Sequence, residues 1–434
     1  MRSPNTFDPS DLSWLDEDAS GPLAGVHILD ISRIVAAPFA TMGLGELGAT
    51  VIKVERPSGG DDSRTWGPPF VDGESAYYLS VNRNKVGIAL DLSTPEGAAI
   101  CRSLAVDWAD VLVENFRDGV LQRWNLDLAD LRAANPRLVT STIRGYPIGD
   151  SRPGVDFIIQ GASGVMSLIG PGDGKFYKVG APIADLTAGL YLMSGVLAAL
   201  HERASSGLGQ HVSVSLWESL VSLLVNANQG YLLTGEVPLA LGNAHPQVAP
   251  YDVFDAADGQ LTIGAVLDHH FDSLAELLGH REWLSDERYV TNAARVVHRS
   301  ELKQEINTSI AGLPRRELLN LLIEANIPCG PLRTIDEVMS SDEAAHSRVV
   351  ISMEHSRLGR LPMVRLPWCL SRTAAVARLA PPMVGEHTHD VLSSMGFSVE
   401  DLERLRAHGA IGVGDALTEG EGQSSSTLAR KKES

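Results

Sequence analysis

The sequence has few cysteines and few residues of positive charge. Its three cysteines, Cys101, Cys329 and Cys369, are widely spaced, and neither a C-x-x-C pair nor a nearby histidine accompanies them. This pattern argues against a disulfide framework or a zinc site and favours a reducing compartment. The 36 lysines and arginines are outnumbered by 54 aspartates and glutamates, giving a net charge of −18. Such a surface argues against non-specific binding of nucleic acid or of an anionic membrane.

Long apolar runs and a basic N-terminal leader are also missing. No stretch of about 18 residues is apolar without polar interruption, and acidic residues occupy the N-terminal region where a targeting peptide would be basic. We therefore expect a cytoplasmic enzyme that does not contact a membrane. With 434 residues, the chain is long enough for two or more domains.

One familiar motif is present in the wrong context. Gly43, Gly45 and Gly48 match the G-x-G-x-x-G pattern of dinucleotide-binding enzymes. In those enzymes the glycines follow a strand and open a helix, whereas here they end a helical segment and lead into a strand at Val51. We therefore reject a dehydrogenase. The sequence contains no G-x-S-x-G, H-E-x-x-H or P-loop motif.

Short apolar runs alternate with helical segments in the first half of the chain. The predicted strands are residues 26–30, 51–54, 110–114, 138–143 and 211–215. The predicted helices between them include residues 127–134 and 186–203. This alternation predicts an α/β fold with a parallel sheet covered on both faces. A strand pair around Asp258-Gly259, followed by helices at 271–278 and 316–325, predicts a smaller α+β domain.

The composition along the chain suggests five regions. We expect a mobile N-terminal segment (1–22), a large domain (23–230), a linker with the small domain (231–340), a return to the large domain (341–414) and a disordered tail (415–434).

Asp185 is the candidate nucleophile. It lies in Gly180-Ala-Pro-Ile-Ala-Asp185-Leu-Thr-Ala-Gly189, where a loop turns into a long apolar helix. A helix start stabilises an anion, and a carboxylate can attack an activated acyl group. The residue types alone leave a second interpretation open, because aspartate is also a common helix N-cap. Asp156, in Arg152-Pro-Gly-Val-Asp156, is a candidate for a second acid or base.

Basic residues of the first domain fall at or beyond the ends of predicted strands, where α/β sheets bind ligands. Guanidinium groups at these positions can hold phosphates through paired hydrogen bonds, although each residue could equally be a solvated surface charge. These residues are Arg56, Arg64, Arg83, Lys85, Arg123 and Arg144. His387 and His389 lack a third ligand at supporting spacing, so we interpret them as structural.

Several segments, taken together, resemble the family III CoA-transferases (CaiB/BaiF type), a group that includes the alpha-methylacyl-CoA racemases. The matches follow the family order nearly end to end: Gly21-Pro-Leu-Ala-Gly-Val-His-Ile-Leu-Asp30, Leu47-Gly-Ala-Thr-Val-Ile-Lys-Val-Glu-Arg56, Val113-Glu-Asn-Phe116, Arg152-Pro-Gly-Val-Asp156, Pro328-Cys-Gly-Pro331 and Ala380-Pro-Pro-Met-Val-Gly-Glu-His387. The resemblance implies a homodimer of two chains threaded through each other as interlocked rings. Each chain would have a Rossmann-like large domain and a small domain.

The resemblance also implies a chemistry. In this family the aspartate of the G-x-P-x-x-D-x-x-x-G segment is the nucleophile, which is Asp185 here. It would form an aspartyl anhydride and then an aspartyl-CoA thioester, with an acyl-CoA and a free carboxylic acid as substrates and no metal or redox cofactor. The positions implied for CoA binding are Arg56, Asn115, Phe116, Arg123 and Arg144. Arg83 or Arg64 could pair with the free carboxylate of a dicarboxylyl-CoA.

Differences within the family narrow the expected reaction. Racemases carry a histidine before the aspartate of R-P-G-H-D, and here Val155 takes its place; the formyl-CoA:oxalate branch has a glutamine where Val35 stands. Residues 60–70 and 74–85 resemble the dicarboxylate-using branch, the succinate–hydroxymethylglutarate CoA-transferases. We therefore expect CoA transfer from succinyl-CoA, or a similar acyl-CoA, to a dicarboxylate such as glutarate, hydroxymethylglutarate or itaconate. The alternative is an acyl-CoA isomerase, either a racemase or an intramolecular CoA transferase.

Overall fold

Strands and helices alternate along most of the chain. The structure is a computed structural model that describes residues 7–412 and residue 414. The strands are β1 (His27–Asp30), β2 (Thr50–Glu55), β3 (Phe70–Val71), β4 (Glu74–Ser75), β5 (Val86–Leu90), β6 (Val111–Glu114), β7 (Val139–Arg144), β8 (His211–Ser215), β9 (Tyr251–Ala256), β10 (Gly259–Gly264), β11 (Cys329–Pro331), β12 (Val350–His355), β13 (Gly359–Val364) and β14 (Ile411–Gly412).

The helices fall between these strands. They are α1 (Ala36–Glu46), α2 (Ala76–Val81), α3 (Pro95–Ser103), α4 (Val120–Arg123), α5 (Leu128–Ala134), α6 (Asp156–Ala162), α7 (Ile183–Ser206), α8 (Leu216–Leu223), α9 (Val225–Thr234), α10 (Asp268–Leu277), α11 (Asn292–Val297), α12 (Arg299–Ile310), α13 (Arg315–Glu324), α14 (Ile335–Met339), α15 (Asp342–Ser347), α16 (Thr388–Ser394) and α17 (Val399–Ala407). Short 3₁₀ helices form at Pro9–Asp16, Asp62–Thr65, Val165–Leu168 and Arg281–Leu284, and a π-helical turn forms at Leu104–Trp108.

Seven strands of the described chain form one sheet in the order β14-β5-β2-β1-β6-β7-β8. Neighbouring strands run parallel except β14, which is antiparallel to β5 at the edge. Strands β2, β5 and β6 are buried along their whole length, as expected when both faces of a parallel sheet are covered. The predicted α/β class with a parallel central sheet is confirmed. Strands β3, β4, β5, β11, β12, β13 and β14 were not predicted from the sequence.

The strand order reverses between β1 and β6. From β1 the chain moves outward to β2 and β5 on one side, then returns to β6 and continues to β7 and β8 on the other. In open α/β sheets, ligands bind outside the carboxyl ends of the strands at such a reversal. The topology therefore marks one place on this sheet for a ligand.

The described residues divide into two compact units. The first holds the seven-stranded sheet and comprises residues 7–160, 181–223, 348–412 and 414. The second comprises residues 161–180 and 224–347 and has its own core around Phe254, Trp283 and Leu302, beside the antiparallel sheet β11-β10-β9. The sequence-based boundaries placed residues 161–180 in the large domain. In the structure the Gly242 N–H donates to the Gly170 carbonyl at 2.8 Å, which ties this stretch to the chain that follows α9.

The described part of the N-terminal segment packs onto the first unit. Leu12, in the 3₁₀ helix Pro9–Asp16, is fully buried in the main core. The indole N–H of Trp14 donates to Ser394 Oγ at 3.1 Å. For the described residues 7–22, these contacts do not fit the expectation of a mobile segment, because Leu12 and Trp14 anchor it. The tail predicted to be disordered, 415–434, lies outside the described residues.

Helix α7 is, among residues 7–412 and 414, the one helix long and apolar enough to cross a membrane by length and composition. Half of its apolar stretch is buried within the protein, where Leu192, Met193 and Val196 are almost fully covered. It packs against α1 and against strands β7 and β8 of the central sheet. We therefore regard α7 as a core helix of the first unit.

The glycines that match the dinucleotide motif serve this packing. They lie at the end of α1 and lead into β2, as expected. A Cβ atom at Gly43 would lie 3.0 Å from the Met193 sulfur of α7, and one at Gly45 would lie 3.0 Å from Asn84 Cβ. Glycine at these positions therefore allows α1 to approach its neighbours closely, which is a structural role.

Candidate active site

The N-terminus of α7 is capped by a residue from another segment. Pro182 occupies the N-cap position and has no side-chain hydrogen bond to offer. Instead, Asp156 Oδ1 accepts the Ala184 N–H at 2.8 Å, and Gln160 Nε2 donates to Asp156 Oδ2 at 2.7 Å. Asp185 lies in the first turn of the helix, three residues after the N-cap position. The N-cap interpretation of Asp185 is therefore wrong, because Asp156 performs that function.

The Asp185 carboxylate is left without a hydrogen-bond donor. Within the part of the chain that the structure describes, no N–H or O–H group donates to it. The side chain is partly buried, and this burial, with the nearby negative charge of Asp156, raises the pKa of Asp185 to about 7. A carboxylate that its surroundings stabilise poorly is more basic and more reactive toward an acyl carbon.

Two close backbone contacts set this geometry. A Cβ atom at Gly189, one turn after Asp185, would lie 2.6 Å from the Ala36 carbonyl oxygen, so only glycine lets α7 lie against the start of α1. A Cβ atom at Gly154 would lie 2.7 Å from the Cα of Gly145, just after β7. The second contact holds the loop that delivers Asp156 to the end of α7. Both glycines belong to the segments that carry the family resemblance.

Tyr77 of α2 lies near the two carboxylates and was missed in the sequence. Burial and the charges of Asp185 and Asp156 raise the pKa of Tyr77 to about 12, so its phenol stays protonated. Its ring meets that of Trp66 edge-on, with centroids 5.3 Å apart. Tyr77 and Tyr78 are adjacent, and Tyr78 is fully buried whereas Tyr77 is not. From sequence alone, both tyrosines look like core residues.

A cleft opens where the strand order reverses. Its volume is about 230 Å³, and residues at or after the ends of β1, β2, β5 and β6 line it. The lining residues are Ile31, Arg33, Val54, Glu55, Arg56, Gly60, Asp61, Leu90, Asp91, Leu92, Ser93, Phe116 and Trp124. Two arginines and two aromatic rings in one cleft match the phosphates and the base of a nucleotide.

The five residues predicted to bind CoA take different positions relative to this cleft. Arg56 and Phe116 line the cleft. Asn115 supports it, since its side chain bonds both the N–H and the carbonyl of Arg33, at 2.9 and 2.7 Å. Arg123 is exposed at the end of α4, and Arg144 pairs with Glu114 at 2.9 Å; neither lines the cleft.

Arg33 and Trp124 were not predicted, although both line the cleft. A lone arginine after a strand carries little information in a sequence. The signal that could have revealed Arg33 is its position three residues after β1, the strand at which the order reverses.

The proposed carboxylate-binding role of Arg64 and Arg83 does not fit the structure. Arg64 is buried and pairs with Glu55 at 2.7 Å and Glu74 at 3.0 Å. Arg83 is 1% exposed, and its Nε donates to Glu46 Oε1 at 2.6 Å. Both guanidinium groups are buried and paired with glutamates, so neither is exposed to a substrate. We therefore correct this assignment to a structural one.

The remaining candidates are also structural. Lys85 is fully buried and donates to Asp30 Oδ2 at 2.9 Å. His387 Nδ1 accepts the Gly87 N–H at 3.1 Å, tying the C-terminal part of the chain to β5. Over residues 7–412 and 414, no group of three or more His, Cys, Asp or Glu side chains could hold a metal ion.

Comparison with known proteins assigns the chain to a protein family. The model of CoA-transferase family III matches residues 23–388. The chain belongs to this family. It is 40% identical over 394 residues to a succinate–glutarate CoA-transferase of Agrobacterium fabrum, covering 88% of this chain and 97% of that one. It is 36% identical over 401 residues to a mouse succinyl-CoA:glutarate CoA-transferase, covering 91% of this chain and 92% of that one.

A solved structure supports the same assignment. The crystal structure of a CaiB/BaiF family protein from Brucella suis superposes with a TM-score of 0.77 at 36% identity. The match covers 87% of this chain and 100% of that one. The predicted family membership of this CoA-transferase is thus confirmed.

Proposed function

We propose that this CoA-transferase moves CoA from succinyl-CoA, or a similar acyl-CoA, to a dicarboxylate, of which glutarate is the first candidate. The observation that carries the chemistry is the Asp185 carboxylate, which lies at a helix start capped by Asp156 and receives no hydrogen bond from the described residues. The relatives at 40% and 36% identity, whose names specify succinate or succinyl-CoA and glutarate, support the substrate pair.

The first half-reaction would begin at the donor thioester. An Asp185 oxygen attacks the thioester carbonyl carbon, the C–S bond breaks, and CoA leaves as the thiolate while a mixed anhydride forms on Asp185. The thiolate then attacks the aspartyl carbonyl of the anhydride. The donor leaves as a free carboxylate, and Asp185 now carries CoA as a thioester.

The second half-reaction reverses these steps with a different acid. The acceptor carboxylate attacks the aspartyl thioester, releasing the CoA thiolate and forming a new anhydride. The thiolate attacks the acceptor's acyl carbon, giving the new acyl-CoA and restoring the Asp185 carboxylate. Proton transfer is not required at any step. Asp156 and Tyr77 therefore serve to orient the reacting groups and to set the charge around Asp185. Tyr77, protonated at neutral pH, can donate a hydrogen bond to an oxyanion that develops beside Asp185.

We also propose that the enzyme is a homodimer. None of the residues of α9, in the second unit, is buried, and Leu232 and Leu233 are 74% and 76% exposed. Val225 and Tyr231 of the same helix are 71% and 50% exposed, and a contiguous exposed apolar patch marks an interaction site. Sedimentation equilibrium would test this: a monomer at micromolar concentration would contradict the proposal.

The test of function is a chromatographic assay of purified protein with succinyl-CoA and a panel of acids. The panel contains glutarate, hydroxymethylglutarate, itaconate, oxalate and a no-acceptor control, with a 2-methylacyl-CoA incubated alone. We expect glutaryl-CoA to appear only when glutarate is present. Epimerisation or rearrangement of a single acyl-CoA, without exchange with any acid, would instead identify an isomerase.

A further inference from the structure

The two arginines that line the cleft at the strand reversal share one anionic partner, Asp62. Asp62 Oδ1 lies 2.6 Å from Arg56 Nη2, and Asp62 Oδ2 lies 3.1 Å from Arg33 Nη1. One carboxylate therefore bridges two guanidinium groups that line the same cleft. This is the arrangement that a phosphate with two free oxygens would adopt between the same arginines.

The backbones of both arginines are held without Asp62. The backbone of Arg33 is held on both sides by the Asn115 side chain, and its guanidinium lies 4.9 Å from the centre of the Phe116 ring. Arg56 directly follows β2, whose last residue pairs in the sheet with Ala89. Removal of the Asp62 charge would therefore leave both backbones in place and the Arg33 guanidinium beside the Phe116 ring.

The ion pairs of Asp62 with Arg33 and Arg56 are also weak enough for another anion to replace Asp62. The side chains of Asp62, Arg33 and Arg56 are 36%, 40% and 51% exposed, and ion pairs at such exposure contribute little stability. Arg33 keeps unused capacity, because its buried Nε has no hydrogen-bond partner among the described residues.

Other carboxylates in the cleft have different partners. Asp61 pairs with the buried Lys53 at 3.2 Å, and Glu55 pairs with Arg64 at 2.7 Å. Asp91 accepts the N–H and hydroxyl of Ser93 at 2.9 and 2.6 Å. Of the acidic side chains at the cleft, Asp62 is the one that bridges both lining arginines.

We propose that Asp62 is a built-in counter-anion that phosphate groups of the CoA substrate displace from Arg33 and Arg56, so that this residue lowers CoA affinity. The inference rests on the proposed function, since it takes a CoA thioester as the ligand. Displacement exchanges two exposed ion pairs for two charge-assisted hydrogen-bonded pairs with phosphate, and it returns a charged carboxylate to water. Asp62 would thereby favour release of the CoA product after each turnover.

The experiment compares wild-type protein with Asp62→Asn by isothermal titration calorimetry. The ligands are CoA, dephospho-CoA, which lacks the ribose 3′-phosphate, and pantetheine, which lacks the nucleotide. Glu403→Gln is the matched control, because Glu403 is an exposed residue of α17 in the same unit and its substitution also removes one negative charge. Asp62→Ala repeats the test without an amide, and thermal unfolding confirms that each variant is folded.

We expect Asp62→Asn and Asp62→Ala to bind CoA about 3- to 5-fold more tightly than wild type at low salt. The gain should shrink at 0.5 M salt, because exposed charges are then screened. Pantetheine affinity should be unchanged, and Glu403→Gln should resemble wild type for all ligands.

Two results would overturn the inference in different ways. If wild type binds CoA and transfers it, but both Asp62 variants bind CoA equally well or more weakly, Asp62 positions the arginines and does not compete with phosphate. That outcome would leave the proposed function intact. If wild type binds neither CoA nor acyl-CoA, the proposed function itself fails and the inference fails with it.

Discussion

Asp156 caps the helix that carries Asp185 and at the same time raises the pKa of Asp185. The Asp156 carboxylate accepts the N–H of Ala184, the residue before Asp185, at 2.8 Å, and its charge adds to the effect of burial. If Asp185 were the cap of its own helix, its carboxylate would be occupied by a backbone N–H of the first turn. Because the cap comes from Asp156, the Asp185 carboxylate is not occupied by capping the helix.

Replacement of Asp185 should abolish transfer without loss of CoA binding. We expect Asp185→Asn to lower kcat by at least about 1,000-fold, since removal of a covalent nucleophile leaves only binding and orientation. Stopped assays with succinyl-CoA and glutarate measure the loss, and calorimetry with CoA measures binding. Full turnover by the variant would show that another residue is the nucleophile.

The pH dependence of stability should reveal the raised pKa of Asp185. The folded-state value of about 7 lies above the reference value of 3.8, so the protonated form is favoured in the folded protein. The contribution of this group is fully present below about pH 4 and is lost as pH rises through about 7. Asp185→Asn should therefore be more stable than wild type at pH 8 by on the order of 2 kcal/mol, and of similar stability at pH 4. Urea unfolding of ligand-free protein at both pH values measures this difference, and equal differences would contradict the assignment.

Two variants can separate the effect of Asp156 as a helix cap from the effect of its negative charge. Asp156→Asn keeps an oxygen that accepts the Ala184 N–H, whereas Asp156→Ala removes both the acceptor and the charge. Since Asp185 must be ionised to attack, kcat/KM should rise with pH up to about 7 in wild type. Both variants should move this acidic limb to lower pH, and only Asp156→Ala should also lose about 1 kcal/mol of stability. An unmoved limb in Asp156→Asn would mean that burial alone raises the pKa of Asp185.

The two glycines of the Asp185 segment should differ in their tolerance of a side chain. A Cβ atom at Gly189 would lie 2.6 Å from the Ala36 carbonyl oxygen, whereas one at Gly180 would meet nothing within 4 Å. We expect Gly189→Ala to destabilise the protein by about 1–3 kcal/mol through forced separation of α1 and α7. Gly180→Ala is the matched control and should unfold like wild type in urea. Equal stability of the two variants would show that α7 can shift away from α1 at no cost.

Arg83 should affect folding and leave substrate choice alone. It is buried with Glu46, so Arg83→Met leaves that glutamate without its partner and should cost about 3–5 kcal/mol. The double variant Arg83→Met/Glu46→Gln should recover part of this loss, because the unpaired charge is gone. The folded fraction should keep the wild-type ratio of kcat/KM for succinyl-CoA over acetyl-CoA. A selective loss of succinyl-CoA use would restore Arg83 to the substrate site.

The sequence alone determined the fold class and gave the candidate nucleophile. Alternating apolar runs predicted β1, β2, β6, β7 and β8, because strand and helix periodicity are local properties. The ordered family segments identified Asp185, and the position of three glycines before a strand excluded a dinucleotide site. These features depend on residues that are close together in the chain.

Tertiary structure decided which charged side chains are available to a ligand. Arg64 and Arg83 look like surface arginines in the sequence, and their partners Glu55, Glu74 and Glu46 become visible only when separate segments pack together. Asp156 reaches α7 across 28 residues of chain. Arg33 and Arg56, which follow the neighbouring strands β1 and β2, meet at Asp62. Burial and long-range pairing decide whether a charged side chain is paired inside the protein or accessible to a substrate. The spacing of residues along the chain reveals neither property.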